Sequence, residues 1–177
     1  GYVRFPDKVL STRHGDVVFL EDVLRESIEK TKEVIENSPT SKNIEDLEEV
    51  AEKIGVGAIL YSFLKNGREK DIVFTWKDIL DFEGESGPYV QYAYARGKSI
   101  LRKAVESGID YSDAHLSQVE GSEEFELVKL INSYADVVRD AALKYEPCCV
   151  TRFVTDLAQS FNKFYNTCNI MKSEPGL

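Results

Sequence analysis

Between residues 82 and 96 the chain passes from a short loop holding Gly84 and Gly87, through Pro88, into a run with helical periodicity. Proline suits a first helical position, where its missing N–H is no loss and its fixed φ fits. Val90, Tyr94, Gly97, Leu101 and Ala104 recur every three or four residues, which predicts a helix over about 88–107 with one buried face. From residue 86 to 105 there is no acidic side chain, yet Arg96, Lys98, Arg102 and Lys103 all fall there, in a chain of formal net charge −9. This basic island marks a change of architecture. Strands and helices are mixed before it, and only helices are expected after it.

With 177 residues, 42% of them apolar and 30% charged, the chain can bury a core as one domain or two small ones. No apolar run approaches the roughly 20 residues of a membrane helix, and the opening Gly1-Tyr2-Val3-Arg4 is neither a signal peptide nor an initiator methionine. A fragment is therefore expected. Three cysteines, two of them adjacent (Cys148 and Cys149), make a poor disulfide framework, and with two histidines they give no metal-ligand spacing. A reducing, cytoplasmic compartment and no metal are expected. The acidic balance argues against non-specific nucleic-acid binding, but a localised basic face leaves RNA open.

Taken in order, residues 2–5 and 17–20 read as short strands around a polar, cationic loop. Helices follow over about 20–37, with Leu20, Leu24, Ile28, Thr31 and Ile35 inward, and 44–64, with Leu47, Val50, Ile54, Ala58 and Tyr61 inward. Gly55 and Gly57 inside the second cost helix propensity, which predicts close packing or a break there. Residues 70–74 read as a strand and 76–82 as a short helix. Ser122 is placed to cap one helix reaching Tyr145, with Leu127, Ile131, Tyr134, Val138 and Ala142 inward. Pro147 opens a last helix striped by Val150, Val154, Leu157, Phe161, Phe164 and Cys168.

Three groups of residues have chemical potential. Ser11, Thr12 and Arg13, with Lys8, His14 and Gly15 beside them, combine hydroxyls, cations and a flexible backbone suited to a phosphate. Composition alone leaves open whether this is an anion-handling loop or an exposed connector. On the basic helix, Arg96 and Lys103 lie two turns apart and Lys98 and Arg102 one turn apart, with Tyr89 and Tyr92 as stacking surfaces. A phosphate-tracking face and a solvated face with core tyrosines are both consistent with that. Phe153, Phe161 and Phe164 read as core, whereas Tyr165, off the main stripe, together with Arg152 and Lys163 can face a partner. The cysteines have no activating base nearby and read as structural.

Four blocks carry a resemblance. Residues 10–20, Leu-Ser-Thr-Arg-His-Gly-Asp-Val-Val-Phe-Leu, resemble the arginyl version of the Lys-Met-Ser-Lys-Ser loop of class I aminoacyl-tRNA synthetases. Residues 50–58 and 70–74 resemble the end of the arginyl-tRNA synthetase catalytic half. Most specific are Phe82-Glu83-Gly84 and the string Gly-Pro-Tyr-Val-Gln-Tyr-Ala-Tyr-Ala-Arg over 87–96, and residues 156–165 resemble the family's helical anticodon-binding domain. The chain is thus similar to the middle-to-late part of arginyl-tRNA synthetase.

That resemblance implies a mainly α fold. Residues 1–86 would be the C-terminal part of a catalytic half with its loop and connecting helices. Residues 87–177 would be an all-α anticodon-binding bundle, cut short at its end. It implies ATP-dependent arginylation of tRNA by the parent enzyme. Arginine tRNA, arginine and ATP would be the partners, usually with Mg2+ and without membrane or DNA. The loop at Ser11, Thr12 and Arg13 would close over the ATP phosphates, with Lys8, His14 and Gly15 secondary. Arg96, Lys98, Arg102, Lys103, Arg152 and Tyr165 would face tRNA. The family's usual second lysine falls at Thr12, so Arg13 and Lys8 are the candidates for its charge. The chain lacks the family's His-x-Gly-His motif, so by itself it is expected neither to charge tRNA nor to hold a cofactor tightly. The alternative is a non-catalytic acidic helical module that binds a basic protein partner. Another class I synthetase is disfavoured by the Ser-Thr-Arg loop and the Gly-Pro-Tyr string.

Overall fold

The computed structural model describes residues 1–6, 17–38, 44, 46–110, 119, 121–168 and 170. Among them the order is β1 (Val3–Arg4), α1 (Leu20–Glu36), α2 (Leu47–Leu64), β2 (Ile72–Val73), α3 (Trp76–Ile79), α4 (Gly87–Glu106), α5 (Ser122–Asn132), α6 (Tyr134–Lys144) and α7 (Cys148–Thr167). The described residues are mainly helical, with two short strands. The chain divides into two compact units. One comprises Gly1–Tyr89 with Glu146–Cys148, the other Val90–Tyr145 with Cys149–Leu177.

In the first unit α1 packs along α2. Their acidic first turns (Glu21 and Asp22; Glu48 and Glu49) suit the positive end of each helix dipole. Asp46 caps α2 by accepting a hydrogen bond from the Glu49 amide at 2.9 Å. The buried face of α1 is Val23, Ser27, Thr31 and Ile35, and that of α2 is Ala51, Gly55, Ala58, Ile59 and Ser62. Thr31, Ile35 and Ala58 are inward as expected, but both faces contain smaller residues than the periodicity suggested. Small residues win because the two backbones approach closely. The Ser27 hydroxyl donates to the Gly55 carbonyl at 2.9 Å in the buried seam, and α2 continues through both glycines without a break.

Val23, Ala58, Ile59, Phe74 and Ile79 form the core of this unit, with Phe5, Phe63 and Trp76 packed on it. Residues 17–19 have no regular structure and Leu20 opens α1, so the expected second strand near residue 17 is absent. Instead β1 pairs in parallel with β2, Val3 opposite Ile72 and Arg4 opposite Val73. The Asp71 carboxylate holds this junction, accepting from the Tyr2 amide at 2.8 Å and from Arg4 Nη2 at 2.6 Å.

Those bonds hold the Asp71 carboxyl below the usual carboxylate range, the Tyr2 amide contributing most and Arg4 next. A depressed folded pKa gives stability that is present above the ordinary carboxylate range and is lost as pH falls through the lowered value. Acidification is therefore expected to loosen the β1–β2 pair, whose junction this carboxylate holds. Trp76 is the single tryptophan and stands edge-on to Phe74 at 5.0 Å, and the Phe74 amide bonds the Arg4 carbonyl. Its fluorescence followed through an acid titration should show an early step that Asp71→Asn removes. An unchanged titration in that variant would separate Asp71 from strand pairing.

The helix α4, most of which belongs to the second unit, begins at Gly87, one residue before Pro88. Ser86 caps it, its hydroxyl accepting from the Tyr89 amide at 3.2 Å. Gly108, at φ +71°, ends α4. The helix expected from Ser122 to Tyr145 is two helices, α5 and α6. Ser133 interrupts them with its hydroxyl donating back to the Leu130 carbonyl at 2.8 Å, a local bond that competes with helix continuation. Gly121, not Ser122, is the N-cap residue of α5; the Glu124 carboxylate accepts from its amide at 2.9 Å. Lys163 pairs with Glu123 at 3.3 Å, tying α7 to that first turn. Phe153 is buried with its ring 5.6 Å from that of Tyr134. The apolar stripe of α4 lines an open groove of about 590 Å³ with Leu127, Ile131, Phe161 and Phe164, which leaves Tyr94 at 69% and Leu101 at 45% exposure.

Candidate nucleic-acid interface

One side of α4 carries Tyr92, Arg96, Ser99 and Lys103 at spacings of three and four residues, so they share a stripe. The end of α7 supplies Asn162 and Tyr165, also three apart. The two stripes meet at the Arg96 guanidinium. Nη1 donates to Asn162 Oδ1, and Nη2 donates to the Tyr92 hydroxyl at 3.1 Å. The guanidinium carbon lies 4.6 Å from the Tyr92 ring centroid and 4.6 Å from that of Tyr165, within cation–π range of both. Tyr165 in turn lies 6.4 Å from Phe161, ring to ring, so α7 supports it from one side.

Beside this cluster is an open pocket of about 680 Å³, lined by Tyr92, Arg96, Ser99, Lys103, Tyr165 and Thr167 among others. Its wall offers a fixed cation, aromatic faces and hydroxyls. Cys168, also in the wall, has its thiol pushed up first by burial and then by the neighbouring Glu124 carboxylate, so it is a poor nucleophile. Among the described residues Arg96 has no carboxylate partner, so its charge is oriented by neutral groups and not cancelled.

The four cations of the α4 island do not share one face. At 100° per residue, Lys98 and Arg102 fall on the edge of the helix roughly opposite Arg96 and Lys103. Lys98 lies at the rim of the apolar groove, and Arg102 is exposed with Glu106 at 3.9 Å. Arg152 is exposed near the start of α7, four turns before the pocket. Tyr89 is in the first turn of α4 and does not line the pocket. Lys8, Ser11, Thr12, Arg13, His14 and Gly15 lie outside the described residues. The reading of residue types missed Asn162, Ser99 and Thr167. The three-residue step from Asn162 to Tyr165 was the available signal for the first. Nothing in the sequence marked the other two.

Comparison with known proteins places this geometry. Residues 90–176 match the family model of the DALR anticodon binding domain, and residues 3–76 match that of the class I (R) tRNA synthetase catalytic domain. An arginine–tRNA ligase of Clostridium kluyveri is 52% identical over 174 residues, 98% of this chain and 30% of the relative. One from Clostridium botulinum strain 657 is 53% identical over 175 residues, again 98% and 30%. The solved Thermus thermophilus arginyl-tRNA synthetase superposes with a TM-score of 0.82 at 32% identity, covering 98% of this chain and 27% of that one. The arginyl-tRNA synthetase of Plasmodium falciparum, 24% identical with a TM-score of 0.70 over 86% of this chain and 27% of its own, shares the fold. The chain spans about 30% of the length of the curated relatives it matches. With one family model over its first unit and the other over its second, the chain belongs to the arginyl-tRNA synthetase family.

Proposed function

We propose that this chain forms part of an arginine–tRNA ligase and that its second unit binds arginine tRNA by taking an unpaired anticodon-loop base into the pocket beside Arg96. The observation that carries this reading is the Arg96 cluster: a cation held by two tyrosines and an asparagine, uncancelled by any carboxylate among the described residues, in a domain of an anticodon-binding family. Unpaired bases stack on aromatic and guanidinium planes, and this adds to phosphate attraction. Tyr165 and Tyr92 would supply the faces and Lys103, on the same stripe, a phosphate contact. Lys98, Arg102 and Arg152 would act at longer range, through the electrostatic field only.

In the complete ligase, arginine, ATP and tRNA would be the substrates, with Mg2+ accompanying ATP. Ser11, Thr12 and Arg13, aided by Lys8, His14 and Gly15, would steady the ATP phosphates while the arginyl-adenylate forms. The chain alone would bind tRNA without charging it, with no DNA or membrane partner. A cytoplasmic setting follows from that role; no helix among the described residues is long and apolar enough to cross a membrane.

Fluorescence anisotropy of the chain against arginine tRNA and an anticodon-swapped version, at two salt concentrations, tests the reading. Tighter binding to the intact anticodon at both salts is expected. Equal, weak binding to both, abolished by salt, would reduce the interaction to charge attraction.

A further inference from the structure

We infer that Asn162 is a positioning residue for RNA binding, acting only through the guanidinium of Arg96. The inference rests on the pocket reading above. A guanidinium has five N–H donors in a rigid fork and no acceptor. In this chain one donor on Nη1 is taken by Asn162 Oδ1 from α7, and one on Nη2 by the Tyr92 hydroxyl from its own helix. These two bonds fix the plane of the fork between helices whose residues are 66 apart in sequence. The remaining donors have no partner among the described residues and are left for a ligand.

An aspartate in place of Asn162 would hold the fork as well, with the stronger bond of an ion pair. It would also neutralise the one cation that the two tyrosine rings flank. Elsewhere on these helices a carboxylate does approach a cation, as Glu123 does Lys163 at 3.3 Å and Glu106 does Arg102 at 3.9 Å. At the pocket the acceptor is an amide oxygen. It orients the charge and leaves it available to a polyanion.

The test is anisotropy of this chain with a labelled stem-loop carrying the arginine anticodon, over a range of salt. Asn162→Leu and Asn162→Asp are compared, each alone and in an Arg96→Ala background, with circular dichroism to establish that each variant is folded. Leucine fills the space and accepts no hydrogen bond; a loss of about tenfold in affinity is expected, in line with one bond to a charged group, with the salt slope near that of the unaltered chain. Aspartate keeps the acceptor and cancels the charge; weaker binding is expected with a slope shallower by about 0.7, the share of one single-strand phosphate contact. Neither substitution should weaken binding further once Arg96 is alanine.

A structural role alone would lower the melting temperature and leave the affinity and slope of the folded protein unchanged, which overturns the inference. So would an undiminished loss from Asn162→Leu in the Arg96→Ala background. If Arg96→Ala abolishes binding while Asn162→Leu and Asn162→Asp bind normally, this inference falls and the pocket reading stands. If Arg96→Ala itself binds as the unaltered chain does, both fall.

Discussion

Gly55→Ala is expected to destabilise the first unit by about 1–3 kcal/mol, although alanine is the better helix former. A Cβ built at Gly55 would stand 3.0 Å from Ile28 Cα, from the Ile28 nitrogen and from the Ser27 carbonyl carbon. All three are backbone atoms, so no side chain can rotate out of the way and α1 itself must shift. That shift strains the buried bond from the Ser27 hydroxyl to the Gly55 carbonyl, and an unsatisfied buried hydroxyl adds to the cost. The propensity gain of about 0.8–1 kcal/mol for replacing a mid-helix glycine offsets only part of this.

Gly97→Ala makes the contrast. Its Cβ would meet only the Phe161 ring, at 3.7 Å, an ordinary contact. There the propensity term should prevail and leave stability unchanged or raised by up to about 1 kcal/mol. Urea unfolding of both variants reads the two signs. A Gly55→Ala midpoint at or above that of the unaltered chain would mean that α1 and α2 do not cross this closely.

The second large effect is expected at the pocket. Tyr165→Ala and Arg96→Ala should each lower affinity for arginine tRNA by about tenfold to a hundredfold, since stacking of one base is worth about 1–3 kcal/mol by alanine substitution. Tyr165→Phe keeps the ring and should remain within about threefold of the unaltered chain. Arg102→Ala removes an exposed cation on the other edge of α4 and should matter less than about twofold, because screened surface charges contribute little. Titration of labelled tRNA with each folded variant gives the order. A loss at Arg102 as large as that at Arg96 would argue for a diffuse electrostatic surface and against a pocket.

Helix positions were readable from the sequence because apolar spacing and the prolines at 88 and 147 are local signals. The caps were not: Ser122 pointed to the start of α5, where Gly121 is the N-cap residue, and Asp46, Thr75 and Ser86 each accept from the amide three residues on. Burial was less readable. Apolar spacing found Leu24, Thr31 and Ile35 on α1, but it also pointed to Leu20, which is exposed, and it passed over Val23 and over Ser27, which is buried where the approach of α2 at Gly55 admits only small groups. Ser133 looked like any helical serine until its hydroxyl was seen to bond the Leu130 carbonyl. On α4 the charge island was visible as composition, but its division into two edges needed the angle between residues. Arg96 entered as one cation of four. What distinguishes it is the company of Asn162 and Tyr165, brought from 66 or more residues away, and no local pattern encodes that meeting.

RNA binding by the second unit is proposed to depend on an unpaired base entering the pocket beside Arg96. The direct measurement is a competition at moderate salt between two RNAs of equal length and charge. One is the arginine anticodon stem-loop, the other the same stem with its loop closed into base pairs. The account predicts that the open loop wins by about tenfold or more, and that Tyr165→Ala erases the preference. Equal binding of the two RNAs by the unaltered chain would contradict it.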